Sequence, residues 1–204
     1  MARPAPAREK LLTEAIRLIR LNGYAATSVD ALCSAAGVTK GAFFHHFRTK
    51  DALAEEAAGR WDEVTSLLFA GADFHDLPDP LDRVLGYLRL RRAMLDGPLP
   101  EVTCYLGTTV QEVYATSPAV RDACREALAH HVETVERDIA LAVAAHPPLR
   151  PVDPAGLSLH FQVVLQGAFV IAKAWNDTGA AQASLDHLIA YVELLFGRGA
   201  SEAA

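Results

Sequence analysis

Cysteine is scarce in this chain of 204 residues, and nothing in its pattern gives a cysteine a partner. The three present, Cys33, Cys104 and Cys124, are an odd number without disulfide or zinc spacing, as expected in a reducing compartment. Strand signals are lacking too, because no alternating apolar run is bounded by hairpin dipeptides. No GxSxG, HExxH, P-loop or dinucleotide fingerprint occurs, and the acidic residues sit at the spacings of solvated helix faces. An enzyme is therefore not expected, and neither a cofactor nor a metal is called for. The N-terminal MARPAPAREK has no apolar h-region, which argues against a secretory signal. The most apolar stretch, VVLQGAFVIAKAW (163–175), is broken by Gln166 and Lys173 and is too short to span a bilayer. Together these absences predict a cytoplasmic protein with no membrane partner.

What is present is enough for a core: 51% of residues are hydrophobic and 22% charged. Charge is distributed unevenly. Residues 1–50 hold eight Lys/Arg against three acids, a balance of +5, whereas the remainder holds eleven against 22, a balance of −11. A basic end on an acidic body is the footprint expected for a polyanion, although +5 is also within reach of an ordinary solvated surface.

Between clusters of proline and glycine the periodicity is helical. Nine helices are expected, over about 6–22, 28–36, 39–47, 49–70, 80–95, 103–115, 118–146, 154–175 and 181–196, in an all-α protein. Leu11, Leu12, Ala15, Ile16 and Ile19 line the inner stripe of the first, and Val29, Leu32 and Ala35 that of the second. GADFHDLPDP (71–80), DGPLPE (96–101) and HPPLRPVDP (146–154) are the breaks, with Asp79-Pro80 and Asp153-Pro154 set to start helices. Residues 1–50 and 51–204 are the expected domains.

Residues 27–50 read as short helix, glycine-centred turn, short helix. Ala35 and Ala36 let the helices approach, Gly37 takes the turn and Val38 plugs the small core. The second helix then projects Thr39 to Ala42 outward, and Gly41 and Ala42 are small enough for close backbone approach. Such a helix enters a major groove by its N-terminus, with amides and cationic side chains holding phosphates. His45 and His46 are neighbours, so they point about 100° apart on a helix, which disfavours metal ligation and a joint place in the core. Contact with phosphate or base is the better reading.

TSVDALCSAAGVTKGAFFHHFRTKDAL (27–53), preceded by GYAATS (23–28), resembles the DNA-binding domain of the TetR family of transcriptional regulators. The resemblance covers about residues 8–55. It implies a homodimer, most simply a repressor, reading a near-palindromic operator in double-stranded DNA, and released by a small-molecule inducer. Carried over position by position, Thr39, Lys40, Gly41, Ala42, Phe44, His45 and His46 would meet the groove. Thr27, Ser28 and Lys50 would hold phosphates. Phe44 stands where relatives usually have Tyr, and the missing hydroxyl leaves apolar contact such as a thymine methyl. A helical protein-interaction module with a degenerate DNA motif is the alternative.

In the C-terminal region, Tyr87, Arg91, Cys104, Tyr105, Thr108, Gln111, Gln162, Gln166, Phe169 and Lys173 are the candidate ligand-lining residues. Their mix suits a pocket, and equally a helical core with wet edges. His130 and His131 are expected to be solvated. VTCYLGTTVQEV (102–113) and LQGAFVIAKAWND (165–177) are similar to a subgroup of the family that includes NemR, a repressor responding to electrophiles. That similarity implies a sensor cysteine at Cys104 beside Lys173, with a place in the first turn of a helix favouring the thiolate. Phe161, Leu165, Ala168, Leu185, Leu188, Ile189, Val192 and Leu195 form the expected dimer patch, unless both last helices simply pack on their own domain.

Overall fold

The computed structural model describes residues 6–198; Arg3, counted in the basic segment, lies outside them. The described residues are helical, with no strand. The helices are α1 (Ala7–Asn22), α2 (Val29–Ala36), α3 (Lys40–His46), α4 (Lys50–Ala70), α5 (Pro80–Ala93), α6 (Leu99–Val102), α7 (Tyr105–Val113), α8 (Pro118–Ala145), α9 (Pro154–Trp175) and α10 (Gly179–Leu195).

The count exceeds the nine expected by one, because α6 is a single turn that begins in the 96–101 break and ends at Val102. Pro100 falls in its first turn, where a missing N–H is harmless. The 71–80 linker likewise contains a 3-10 turn, Asp73–Asp76, that buries Phe74. The helix starts follow local chemistry: Asp79 accepts from Leu81 N–H ahead of Pro80, and Asp153 accepts from Gly156 N–H ahead of Pro154.

Two compact units emerge. One comprises the chain up to Ser66 with Thr103–Ala129, the other Leu67–Val102 with the chain from His130. Neither limit falls at the 50/51 border expected for the domains. The reason is a shared core: Leu11, Ile19, Leu32, Phe43 and Phe47 of the N-terminal helices pack in one cluster with Tyr105, Leu106, Val113, Val120 and Cys124. Within α2, Leu32, Cys33 and Ala36 are buried and Val29 half-buried, while Ala35, expected inside, is exposed. The inner stripe is set by the neighbours α1 and α3, one position on from the sequence reading.

In the second unit α10 packs against α5 and α9. Its core takes Val84, Leu85 and Leu88 from α5, Phe161, Leu165, Ala168 and Ala172 from α9, and Leu185, Leu188 and Val192 from α10. Six of the eight residues expected to form a dimer patch are thus buried inside the protomer, and Ile189 and Leu195 are half-buried. The apolar residues left outside are Leu159, Val163, Val170, Ile171 and Trp175 on α9, with Tyr191 and Leu194 on α10. α9 was misread because it is apolar all round, so periodicity did not say which face turns inward. At 22 residues it is also long and apolar enough to cross a membrane by length and composition, contrary to the reading of 163–175 alone.

Candidate nucleic-acid interface

The α1–α2 turn sets the position of everything after it. Gly23 ends α1 at φ +90°, a region that disfavours residues with a Cβ. A Cβ there would also come within 2.5 Å of Glu112 Oε1. That carboxylate, from α7, accepts from Tyr24 N–H and Ala25 N–H at 2.8 Å each. The Thr27 hydroxyl donates to the Gly23 carbonyl at 2.7 Å. Lys50 Nζ donates to the carbonyls of Tyr24 at 3.0 Å and Thr27 at 3.2 Å, and lies 4.1 Å above the Tyr24 ring. Burial lowers the Lys50 pKa from its ordinary value, partly offset by Asp51 and Glu112. Interaction with the Ser117 and Tyr24 hydroxyls holds the Asp51 carboxyl below its usual range.

These contacts correct one expected phosphate ligand, Thr27, and engage another, Lys50, in the turn. Thr27 is 1% exposed, with its hydroxyl engaged inside the turn. Lys50 directs two of its ammonium N–H groups to the backbone carbonyls of Tyr24 and Thr27, the first of which also accepts from Thr27 N–H at 3.2 Å. Both hold the turn in shape; the Thr27 hydroxyl has no free donor, whereas the half-buried Lys50 ammonium keeps one N–H beyond the two it spends on carbonyls.

The helix-turn-helix itself follows from capping. Ser28 Oγ accepts from Ala31 N–H, and Thr39 Oγ1 from Ala42 N–H, both at 3.1 Å. Each hydroxyl accepts in this role, so its O–H stays available to donate outward. Gly37 adopts the left-handed conformation (φ 64°, ψ 39°), and Val38 N–H closes on the Cys33 carbonyl at 3.0 Å. Phe43 and Phe47 are buried, their rings 5.9 Å apart, and they hold α3 against its unit. Phe44 points away, 55% exposed, edge-on to Phe43.

Lys40, Gly41, His45 and His46 are exposed, and Ala42 and Val38 half-buried. The expected groove face is therefore a single exposed surface on α3, flanked by Ser28 and Thr39. Lys40 pairs with Asp30 Oδ1 at 2.7 Å, and that hydrogen bond keeps the ammonium charged. A surface pair of this kind exchanges readily for phosphate. The His45 and His46 rings stack edge-on at 5.0 Å, and no group of three metal-ligating side chains occurs among the described residues. Arg48 and Thr49 are also exposed at the α3–α4 joint, where Thr49 Oγ1 accepts from Ala52 N–H at 3.0 Å. Neither was picked out from sequence; the available signal was the polar RTK between buried Phe47 and the capped start of α4.

The candidate ligand residues are divided between the two units. Cys104, Tyr105, Thr108 and Gln111 belong to the first unit. Cys104 holds the N-cap position of α7, just outside its first turn, without a side-chain capping hydrogen bond, and is half-buried, whereas Cys33 and Cys124 are buried. Burial raises the Cys33 pKa and pushes that of Cys124 up to about 12. The Tyr105 hydroxyl donates to the Ala54 carbonyl at 3.0 Å in the core, Thr108 donates to the Cys104 carbonyl and exposed Gln111 to that of Gly107. These are packing and helix-local roles.

Tyr87, Arg91, Gln162, Gln166, Phe169 and Lys173 belong to the second unit. Tyr87 is buried with its hydroxyl 2.8 Å from His131 Nε2, and the Phe69 ring lies 5.0 Å from that imidazole. His131, expected to be solvated, is instead half-buried. Burial first, and the nearby Arg91 charge second, push its pKa down to about 3. Phe69 and His131 were missed because the exposed neighbour His130 and the end of α4 gave no cue to the partner across the fold. Gln162 Oε1 is buried with no donor among the described residues. Gln166 is half-buried, Phe169 buried and Lys173 exposed on α9. An open apolar groove of about 470 Å³ lies between Leu68, Phe74, Gly86, Leu90 and Met94, and none of the candidates lines it.

Comparison with known proteins agrees with this geometry. The family model for bacterial regulatory proteins of the tetR family matches residues 11–57, and that for the tetracyclin repressor-like C-terminal domain matches 80–188. The chain is 28% identical over 121 residues to the HTH-type transcriptional regulator LmrA of Bacillus subtilis, covering 59% of this chain and 64% of LmrA. It is 40% identical over 68 residues to the HTH-type transcriptional repressor AcnR of Corynebacterium glutamicum, covering 31% and 36%. It spans less than two thirds of the length of the curated relatives it matches. Among solved structures, a regulatory protein TetR from Rhodobacter sphaeroides superposes with a TM-score of 0.81 at 22% identity, covering 92% of this chain and 99% of that one. The reduced form of NemR from E. coli gives 0.78 at 20%, covering 89% and 94%. At such identities the likeness is one of fold.

Proposed function

The chain belongs to the TetR family of transcriptional regulators, and from that premise we propose that it is a homodimeric repressor of a near-palindromic operator, released by a small molecule. DNA binding and regulation of transcription come with the family, whose members are transcription factors and not enzymes. Repression, the operator symmetry, the dimer and the inducer are what is proposed.

The observation that carries it is α3. A capped seven-residue helix is pinned by two buried phenylalanines and shows solvent a small, cationic, hydrogen-bonding face. Lys40, His45 and His46 read base edges there, Gly41 and Ala42 let the backbone approach, and Phe44 meets an apolar base edge. Ser28, Thr39, Arg48 and Thr49 donate to phosphates. Residues 1–50 are the reading segment, and 51–204 sense and dimerise. Two protomers pair through the apolar face of α9 and α10 that includes Val163, Trp175 and Leu194, since a monomer in water seldom leaves such a face bare. The cytoplasm, where the operator is, is the place of action. Among the three thiols Cys104 alone is not buried, so an electrophilic inducer would reach it first.

A gel shift with the promoter of its own or a neighbouring gene tests the reading. Binding should weaken steeply as salt rises. Lys40→Ala should weaken binding and make the salt slope shallower by about one, with the dimer intact by light scattering. Unchanged affinity in that variant would remove α3 from the interface. Genomic fragments retained by the protein would give the operator.

A further inference from the structure

Four arginines lie on α5, and three of them are neutralised. Arg83 pairs with Asp138 at 3.1 Å, Arg89 with Glu193 at 3.1 Å and Arg92 with Asp186 at 2.7 Å. Arg91 is half-buried and has no carboxylate partner among the described residues. Its guanidinium instead lies 5.2 Å above the Phe69 ring and 6.0 Å from that of Tyr87. Aromatic faces attract a cation but leave its charge uncompensated.

The polar groups around it do not supply the missing charge. His131 is neutral near pH 7, its pKa pushed down to about 3, and burial raises that of Tyr87, so its hydroxyl stays protonated. The two already hydrogen-bond each other. What remains is one fixed positive charge on an aromatic floor of Phe69, Tyr87 and His131, bordered by Phe74 6.0 Å from Tyr87. A partly desolvated charge without a counter-charge is unfavourable, and an incoming anion relieves it. The planar guanidinium matches a carboxylate in two parallel hydrogen bonds, and rings beside it favour an apolar or aromatic body.

We infer that the inducer is a small organic carboxylate with an aromatic or apolar body, its carboxylate held by Arg91 over the Phe69–Tyr87–His131 cluster. This rests on the reading of the chain as a ligand-released regulator.

The experiment uses the full-length protein and matched pairs of probes: benzoate and benzamide, phenylacetate and phenylacetamide, octanoate and octanamide. Sulfate and phosphate at equal ionic strength form the inorganic arm. Calorimetry and thermal shift should find at least one carboxylate bound about tenfold or more tightly than its amide and than either inorganic ion. Arg91→Met should abolish that preference, and Arg91→Lys should keep some of it, each checked for native helicity. The preference in the wild-type protein stands as a test even if a variant fails to fold. The inference is overturned if no carboxylate binds, if amides or inorganic ions bind equally well, or if a folded Arg91→Met keeps the preference. A gel shift without ligand separates the two readings. Loss of operator binding there defeats the regulator assignment, whereas intact binding with indifferent carboxylates defeats this inference alone.

Discussion

α3 and α9 both mix apolar and polar side chains, yet their orientation is decided in different ways. α3 has seven residues, too few to hold a helix alone, so its posture comes from the Thr39 cap, the Gly37 turn and the buried rings of Phe43 and Phe47. Exposure of Phe44 follows from that frame and not from its hydrophobicity. α9 has 22 residues and apolar side chains on both faces, with Phe161 and Leu165 inside and Val163 and Trp175, the latter 66% exposed, outside. Apolarity locates the inner face of a helix only when the other face is polar.

The largest effect should come from the anchor of the short helix. Phe43→Ala removes a fully buried ring and should destabilise the first unit by about 3–5 kcal/mol in urea unfolding, with operator binding lost. A loss below about 1 kcal/mol would mean that capping alone holds α3. In α9 a pair of variants separates the two faces. Leu165→Ala should cost about 2–5 kcal/mol in the protomer, while Val163→Glu should leave helicity intact and convert dimer to monomer in sedimentation. The opposite pattern would exchange the faces.

A smaller change sharpens how α3 is placed at a distance. Glu112→Gln weakens the grip on the Tyr24 and Ala25 amides and should cost about 1–3 kcal/mol, read by urea unfolding, together with operator affinity. No change in either would reduce the clasp to a surface contact. The mildest test leaves the fold untouched: iodoacetamide at neutral pH should label Cys104 ahead of Cys33 and Cys124, as peptide mapping would show. Equal rates would end the electrophile version of the inducer.

Much of the fold was legible because its signals are local. Ser28, Thr39, Asp79-Pro80 and Asp153-Pro154 start helices with side chains two or three residues from the amides they satisfy. The single turns at Leu99–Val102 and Asp73–Asp76 were not legible, since such short elements depend on packing and not on periodicity. The same distinction runs through the candidate site. Lys40, Phe44, His45 and His46 could be placed from helix phase, whereas the contacts of Thr27 with Gly23 and of Lys50 with Tyr24 form across the turn and were not legible. His131 owes its neutral state to burial and to the charge of Arg91, 40 positions away in the chain.

Glu112 also decides where this protein can be cut. A hybrid regulator joining residues 1–50 to a foreign body would strip the Tyr24 and Ala25 amides of their carboxylate and place the junction just after Lys50, the first residue of α4. The transplantable cassette is instead discontinuous, with α7 and the first half of α8 travelling beside the reading helices. Gly23 and Glu112 belong together in it, because a larger residue at the first would push the carboxylate of the second aside and loosen the clasp.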